Sequence, residues 1–471
     1  MTVVTAESCV ARTRASLSVS ALTPLDAILR WPRNEPLVAL VSGRGAAVGE
    51  AVGRWRRSSL LCAPGSTRTL TGADFTKSKP PNVALRKAFA QSGEQKHPRV
   101  GWFSYDVGAA LEPRAIASRA TGASRNSSAP LARFSACDKT MVFDHCAGVW
   151  RQGAARAKNL GTQGVDAAPD DDVSMRNLQS ATGERAYCDA VQRAIEYIHA
   201  GDVFQVNIAQ RITADFAGDA RQLFVAMVER TDPPFAAYIE SASEPGCAIV
   251  SVSPELFIAV DGVTGAVVAQ PIKGTVAGAL SPEALRDSVK DAAELAMIVD
   301  LMRNDLGRVC ELGSVRVQVA RAIERMGGWR PGEGVWHGVA TIAGSLAPER
   351  DIFDLLAAAL SAGSITGAPK IRAMQIIDEL EPVKRGPFFG SIGLLDGDGG
   401  GVFNVAIRTA TITGEALEPG CFGRIAGSFV CSVGAGVVAQ SDPRSEWRES
   451  LDKAASIVGR ERLRACGIDK A

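Results

Sequence analysis

The chain mixes strand-like and helix-like segments without a regular βαβ repeat, and that constrains its fold more than any other feature. Apolar or alternating runs at residues 37–41, 100–105, 141–143, 203–208, 248–252, 257–260 and 266–270 read as strands. Further runs at 315–319, 390–395, 403–410, 427–433 and 436–439 read the same way. Helical spacing occurs at 186–199, where Val191, Ile195 and Ile198 share one face and Ala200-Gly201 ends the pattern. Helices are also predicted at 282–302, 352–360, 370–380 and 445–459. A doubly wound sheet demands regular alternation, so this pattern predicts an α+β chain.

With 471 residues the chain holds one large domain or two. Residues 1–180 read as an N-terminal region with loop-rich insertions at 118–130 and 161–172, and residues 181–471 as the catalytic half. A net charge of +1 gives no reason to expect nucleic acid or an anionic membrane surface as partner. No apolar run is long enough to span a bilayer. Residues 1–21 lack the apolar centre of a signal peptide, so the expected location is cytoplasmic. The ten cysteines include no Cys-x-x-Cys pair, which predicts reduced thiols rather than a zinc site.

Several residues stand out for chemistry. Asp291 and Glu294 are spaced i, i+3 on one predicted helix, and Glu446 and Glu449 repeat that spacing on the last one, with Lys453 a turn further. Two such faces could hold one magnesium ion, which prefers oxygen ligands and a shared anionic substrate. Gly434-Ala435-Gly436 reads as a turn between two strands whose amides could approach an anion. Arg408, on a predicted strand, suits bidentate capture of a carboxylate. Gln205 and Asn207 share a strand face opposite Phe204 and Val206.

The order of motifs resembles the chorismate-utilising enzymes of the anthranilate synthase component I family. Ser253-Pro254-Glu255-Leu256-Phe257, Pro271-Ile272-Lys273-Gly274-Thr275 and Asp300-Leu301-Met302-Arg303-Asn304-Asp305-Leu306-Gly307-Arg308 carry it, together with the segments around His337, Gly363 to Lys370, Arg408 and Glu449. The resemblance is strong over 184–460 and modest over 101–112. It implies a two-layered antiparallel sheet flanked by helices. Leu394 and Phe388 depart from the family's usual tyrosines. Residues 233–238 resemble the stretch lining the family's tryptophan pocket.

The resemblance also implies roles. Glu294 and Glu449, with Asp291 and Glu446 beside them, would bind Mg²⁺. Arg408, Gly274, Thr275, Gly434, Ala435, Gly436, Lys453 and Gln205 would contact chorismate, and His337 would be the active-site histidine. Glu255 would handle the proton of the leaving hydroxyl. Water-adding relatives place a lysine base where this chain has Gln205, and an amide cannot take that proton, which argues for amination. Relatives that make anthranilate carry Pro-Ile-Ala-Gly-Thr where this chain has Lys273, a potential nucleophile. Such an amine must be neutral to attack. Burial favours that state, and carboxylates such as Glu255 oppose it.

The implied activity is magnesium-dependent conversion of chorismate and ammonia to 4-amino-4-deoxychorismate, feeding folate synthesis. No Gly-x-Cys-x-Gly segment is present, so a separate glutaminase (glutamine amidotransferase) subunit is the expected ammonia source. Two rivals are anthranilate formation on the same fold and an inactive scaffold for a glutaminase.

Overall fold

The computed structural model describes residues 22–42, 58–75, 80–90, 97–115, 129–162, 173–327 and 334–468. The N-terminal stretch 1–21 and most of the two expected insertions, 118–128 and 163–172, lie outside the described residues. Nineteen strands lie within them. The first half of the chain supplies β1 (Val38–Val41), β2 (Ser58–Leu70), β3 (Arg99–Phe103), β4 (Ala132–Asp144), β5 (Val149–Gln152), β6 (Val173–Ser180), β7 (Gln205–Asp219) and β8 (Phe235–Ser241). Next come β9 (Glu244–Ser253), β10 (Leu256–Val260), β11 (Ala266–Gln270), β12 (Ile272–Ala277), β13 (Arg316–Met326) and β14 (Val335–Ser345). The last are β15 (Gly367–Ala368), β16 (Ser391–Leu395), β17 (Gly401–Asn404), β18 (Thr409–Ala416) and β19 (Arg424–Val437).

Hydrogen bonding runs from β7 through β19, β18, β9, β8, β1, β2 and β4. It continues through β3, β16, β17, β10 and β11 to β14. Every step is antiparallel. At the ends, β6 and β15 add to β7, and β12 and β13 add to β14. Strands on both sides of residue 180 therefore share one ladder.

One apolar cluster joins Leu40, Phe235 and Ile249 from the first part of this path to Leu256, Ile392 and Val402 from the second. The sheet must fold over on itself to bring them together, which gives the two layers expected. Leu394 belongs to this inner cluster. Helices cover the outer faces in two further clusters. The helix Glu184–His199 buries Tyr187, Val191, Ala194 and Ile195. Each fully buried branched side chain of this kind stabilises the docked helix by roughly 2 kcal/mol. The α+β class is what the sequence predicts. Among the described residues no helix is long and apolar enough to cross a membrane.

Three local expectations need correction. Gly434-Ala435-Gly436 is not a turn. It lies inside the continuous strand β19, where Gly434 pairs with Ala209 and Gly436 with Asn207. Glycines spaced i, i+2 look like a turn locally, but the long ladder with β7 holds them extended. Arg408 is not on a strand. It sits in the break between β17 and β18 with φ +51°, a strained value for a side-chain-bearing residue, and its carbonyl accepts from the Val252 amide. The helix expected at 282–302 is two helices, Glu283–Arg286 and Val289–Gly307. Ser288 separates them because its hydroxyl caps the second by accepting from the Asp291 amide.

Candidate active site

The site lies where β12 and β14, from one end of the sheet, meet β7 and β19 from the other. Lys273 projects from β12 and is largely buried, with 14% of its side chain exposed. Its Nζ lies 3.8 Å from Glu294 Oε2. Burial, reinforced by the Lys453 charge, holds the amine below the ordinary lysine value. Glu294, Glu255 and Glu449 pull the other way and do not overcome it. The competition left open by the sequence thus goes to desolvation. Gly274 follows with φ +78°, and a Cβ there would press within 2.5 Å of Leu285 and 2.9 Å of the Asp291 carboxyl carbon. Only glycine lets this strand turn so closely under the helix that carries Glu294.

Glu255 is buried at the start of β10. Desolvation raises its pKa to about 7, opposed by the Ser364 hydroxyl, the Lys273 charge and the Ile272 amide. It can therefore carry a proton at neutral pH and release it under modest driving force. His337, on β14, is pushed down to about 3 by burial and by the Arg408 charge. It is a neutral imidazole at physiological pH. Its Nδ1 lies 3.0 Å from the Thr275 hydroxyl and 3.2 Å from the Gly274 carbonyl. A carbonyl only accepts, so Nδ1 bears the hydrogen and the buried Nε2, without a partner among the described residues, is an acceptor. Burial lowers Arg408 to about 10, still charged at neutral pH. Among the described residues no carboxylate pairs with its guanidinium, which leaves its charge available to an anionic ligand.

The two carboxylate-bearing helices face this region. Glu294 is flanked by Lys273 and Lys290, each at 3.8 Å. Glu449 pairs with Lys453 at 2.7 Å, and Lys453 also donates to the Gly434 carbonyl at 2.8 Å. Burial works against ionisation of Glu449, but Lys453, with Lys273 and Lys290, outweighs it and lowers its pKa. Their partners in each pair sit differently. Asp291 packs under Gly274, and Glu446 is buried with the Ser441 hydroxyl donating to it at 2.6 Å. Among the described residues no three acidic, histidine or cysteine side chains gather into a ready cage. Glu294 and Glu449 both act on the Lys273 amine, so their carboxylates lie toward one space, and carboxylate oxygens are the donor type that magnesium takes.

Gln205 faces the same space from β7. A Cβ at Gly436 would lie 2.3 Å from Gln205 Nε2 and 3.1 Å from Lys273 Nζ. Both atoms are tips of flexible side chains, so the fold can absorb a methyl group while the site cannot. Gly436→Ala is expected to cut kcat/KM for chorismate at least about tenfold with a Tm change of only a few degrees. Measured kinetics near wild type would remove Gly436 from the site. Sequence reasoning passed over Lys290 and Arg385, and gave Ser364 no role of its own within the segment 363–370. Arg385 is buried, bonds the Asn207 carbonyl at 2.8 Å and lies over the Tyr105 and Phe389 rings. Lys290 could have been found as the residue four before Glu294 on one helix.

The fold thus gathers the Lys273 amine, the Arg408 guanidinium and two carboxylate-bearing helices at one place. The family model for chorismate binding enzymes matches residues 54–459, and the chain belongs to that family. It is 36% identical over 370 residues to aminodeoxychorismate synthase component 1 of Escherichia coli strain K12, covering 76% of each chain. It is 35% identical over 388 residues to an anthranilate synthase component 1 of Haloarcula marismortui, covering 76% of this chain and 74% of that one. The crystal structure of anthranilate synthase component I from Streptococcus pneumoniae TIGR4 superposes with a TM-score of 0.66 at 25% identity, covering 94% of this chain and all of the other.

Proposed function

We propose that this protein makes 4-amino-4-deoxychorismate from chorismate and ammonia, with magnesium, on the route to para-aminobenzoate and folate. The observation that carries this reading is Lys273, a buried amine with a depressed pKa in the position where anthranilate-forming relatives have alanine. Arg408 would hold one carboxylate of chorismate. Glu294 and Glu449 would hold a magnesium ion whose charge, when bound, balances the other carboxylate. Neutral Lys273 forms a bond to C2 of the ring. The conjugated double bonds shift, the C4–O bond breaks, and the hydroxyl departs as water with the proton of Glu255. Ammonia then forms the C4–N bond, the double bonds shift back, and the C2–N bond to Lys273 breaks. Splitting one hard displacement into two easier ones is the gain of the covalent route. His337, neutral, serves as a hydrogen-bonding wall.

Ammonia is supplied by a separate glutaminase subunit in this reading. The purified chain is expected to aminate chorismate with ammonium salt at alkaline pH and to ignore glutamine. Product mass identifies the reaction: aminodeoxychorismate supports the reading, and anthranilate replaces it with the second one, which the Haloarcula relative favours. Glutamine-dependent turnover by this chain alone would end the partner assignment.

A further inference from the structure

Two amide side chains stand side by side on β7, the first of them, Gln205, beside the Lys273 amine, and each has an oxygen without a hydrogen-bond partner among the described residues. Gln205 and Asn207 are both buried, and among the described residues no donor reaches Gln205 Oε1 or Asn207 Oδ1. Spaced i, i+2, they project from the same face of the strand. The partner strand leaves room for them with glycines. A Cβ at Gly436 would strike Gln205 Nε2, and a Cβ at Gly434 would come within 2.6 Å of Asn207 Oδ1. The strand is held from behind. Arg385 donates to the Asn207 carbonyl and pairs with Glu381, which in turn accepts from the Ala209 amide at 2.9 Å.

A buried acceptor without a donor is costly, and two together call for a ligand rich in N–H or O–H groups. We infer that Gln205 and Asn207 form the receiving site for ammonia, holding two of its N–H groups while its lone pair points into the chorismate pocket. This rests on the amination proposed above and names the residues that receive its second substrate. Neutral amides suit the task. A carboxylate there would favour protonated ammonium, which has no lone pair to attack with. Amide oxygens accept hydrogen bonds without capturing the proton. As the C4–N bond forms, nitrogen gains positive charge and its N–H groups become stronger donors, so both contacts strengthen in the transition state. Asn207 is the discriminating member of the pair, because Gln205 also touches the Lys273 and Gly436 region that chorismate occupies.

The test uses the full-length chain with ammonium chloride at alkaline pH and compares wild type, Asn207→Ala and Asn207→Ser. Losing one acceptor should raise KM for ammonia about tenfold. Affinity for chorismate should stay within about twofold. Formation of the Lys273 adduct without ammonia should keep its wild-type rate, and its decay on adding ammonia should slow. Asn207→Ser retains a hydroxyl acceptor and should recover part of the loss, and it stands in if the alanine variant does not fold. An unchanged KM for ammonia in these variants, or equal losses toward chorismate and ammonia, overturns the inference while leaving the amination reading intact. A wild-type chain that makes no aminated product from chorismate and ammonium overturns that reading itself.

Discussion

Lys273→Ala is expected to lose about 10³-fold or more of turnover with chorismate and ammonium while still binding chorismate. In the proposed reading Arg408 and a magnesium ion on Glu294 and Glu449 hold the carboxylates, so binding and chemistry should separate even though Glu294 loses its neighbour at 3.8 Å. Residual activity should come from direct attack by ammonia, with Glu255 still able to give its proton. The wild-type chain offers a direct assay. With ammonia withheld, a substrate adduct should appear by mass spectrometry on the peptide containing Lys273. Adduct formation should follow a bell-shaped pH profile, falling as pH rises through about 7, where Glu255 gives up its proton, and falling again at low pH, where Lys273 is protonated. Full activity of Lys273→Ala would show that the amine is a bystander.

Glu294→Gln and Glu449→Gln should each abolish magnesium-dependent binding of chorismate, measured by calorimetry with and without the ion. Neither should unfold the protein. Glu294 meets its lysines at 3.8 Å and the Glu449 side chain is 53% exposed, so the ion pairs themselves contribute little to stability. Chorismate affinity that stays the same in both variants, with magnesium present, would remove the metal from these helices. Tm measured without magnesium should be nearly unchanged, which separates loss of the ion from loss of the fold.

Much of this was readable before any coordinates, and the exceptions have physical causes. The helix Lys370–Leu380 and the strand Ala266–Gln270 fall at the bounds their periodicity predicts, because local spacing and tertiary burial agree there. The helix Ala220–Thr231 and the strand Val335–Ser345 were not expected, since their patterns acquire meaning only against neighbours far away in sequence. Gly434 to Gly436 misled for the same reason. Their extended form is imposed by β7, whose residues come nearly half the chain earlier. The site residues were named through motifs, but what each does electrostatically was not legible. Whether Lys273 is neutral depends on how deeply three separate elements bury it. The orphan oxygens of Gln205 and Asn207 were invisible because a sequence shows which groups can bond, not which remain unbonded.

The pairing of β3 with β16 has a consequence for how the chain is made. During synthesis β3 emerges early, yet the strand that covers its edge is near the other end of the chain. Until β16 arrives, Val100, Trp102 and Phe103 present an apolar strand with unpaired amides and carbonyls. A ladder closed by such distant partners has a high contact order and should assemble slowly and late. The ribosome-bound chain is therefore the species most exposed to aggregation, and expression should respond to chaperones that hold strand edges more than to mutations around the site.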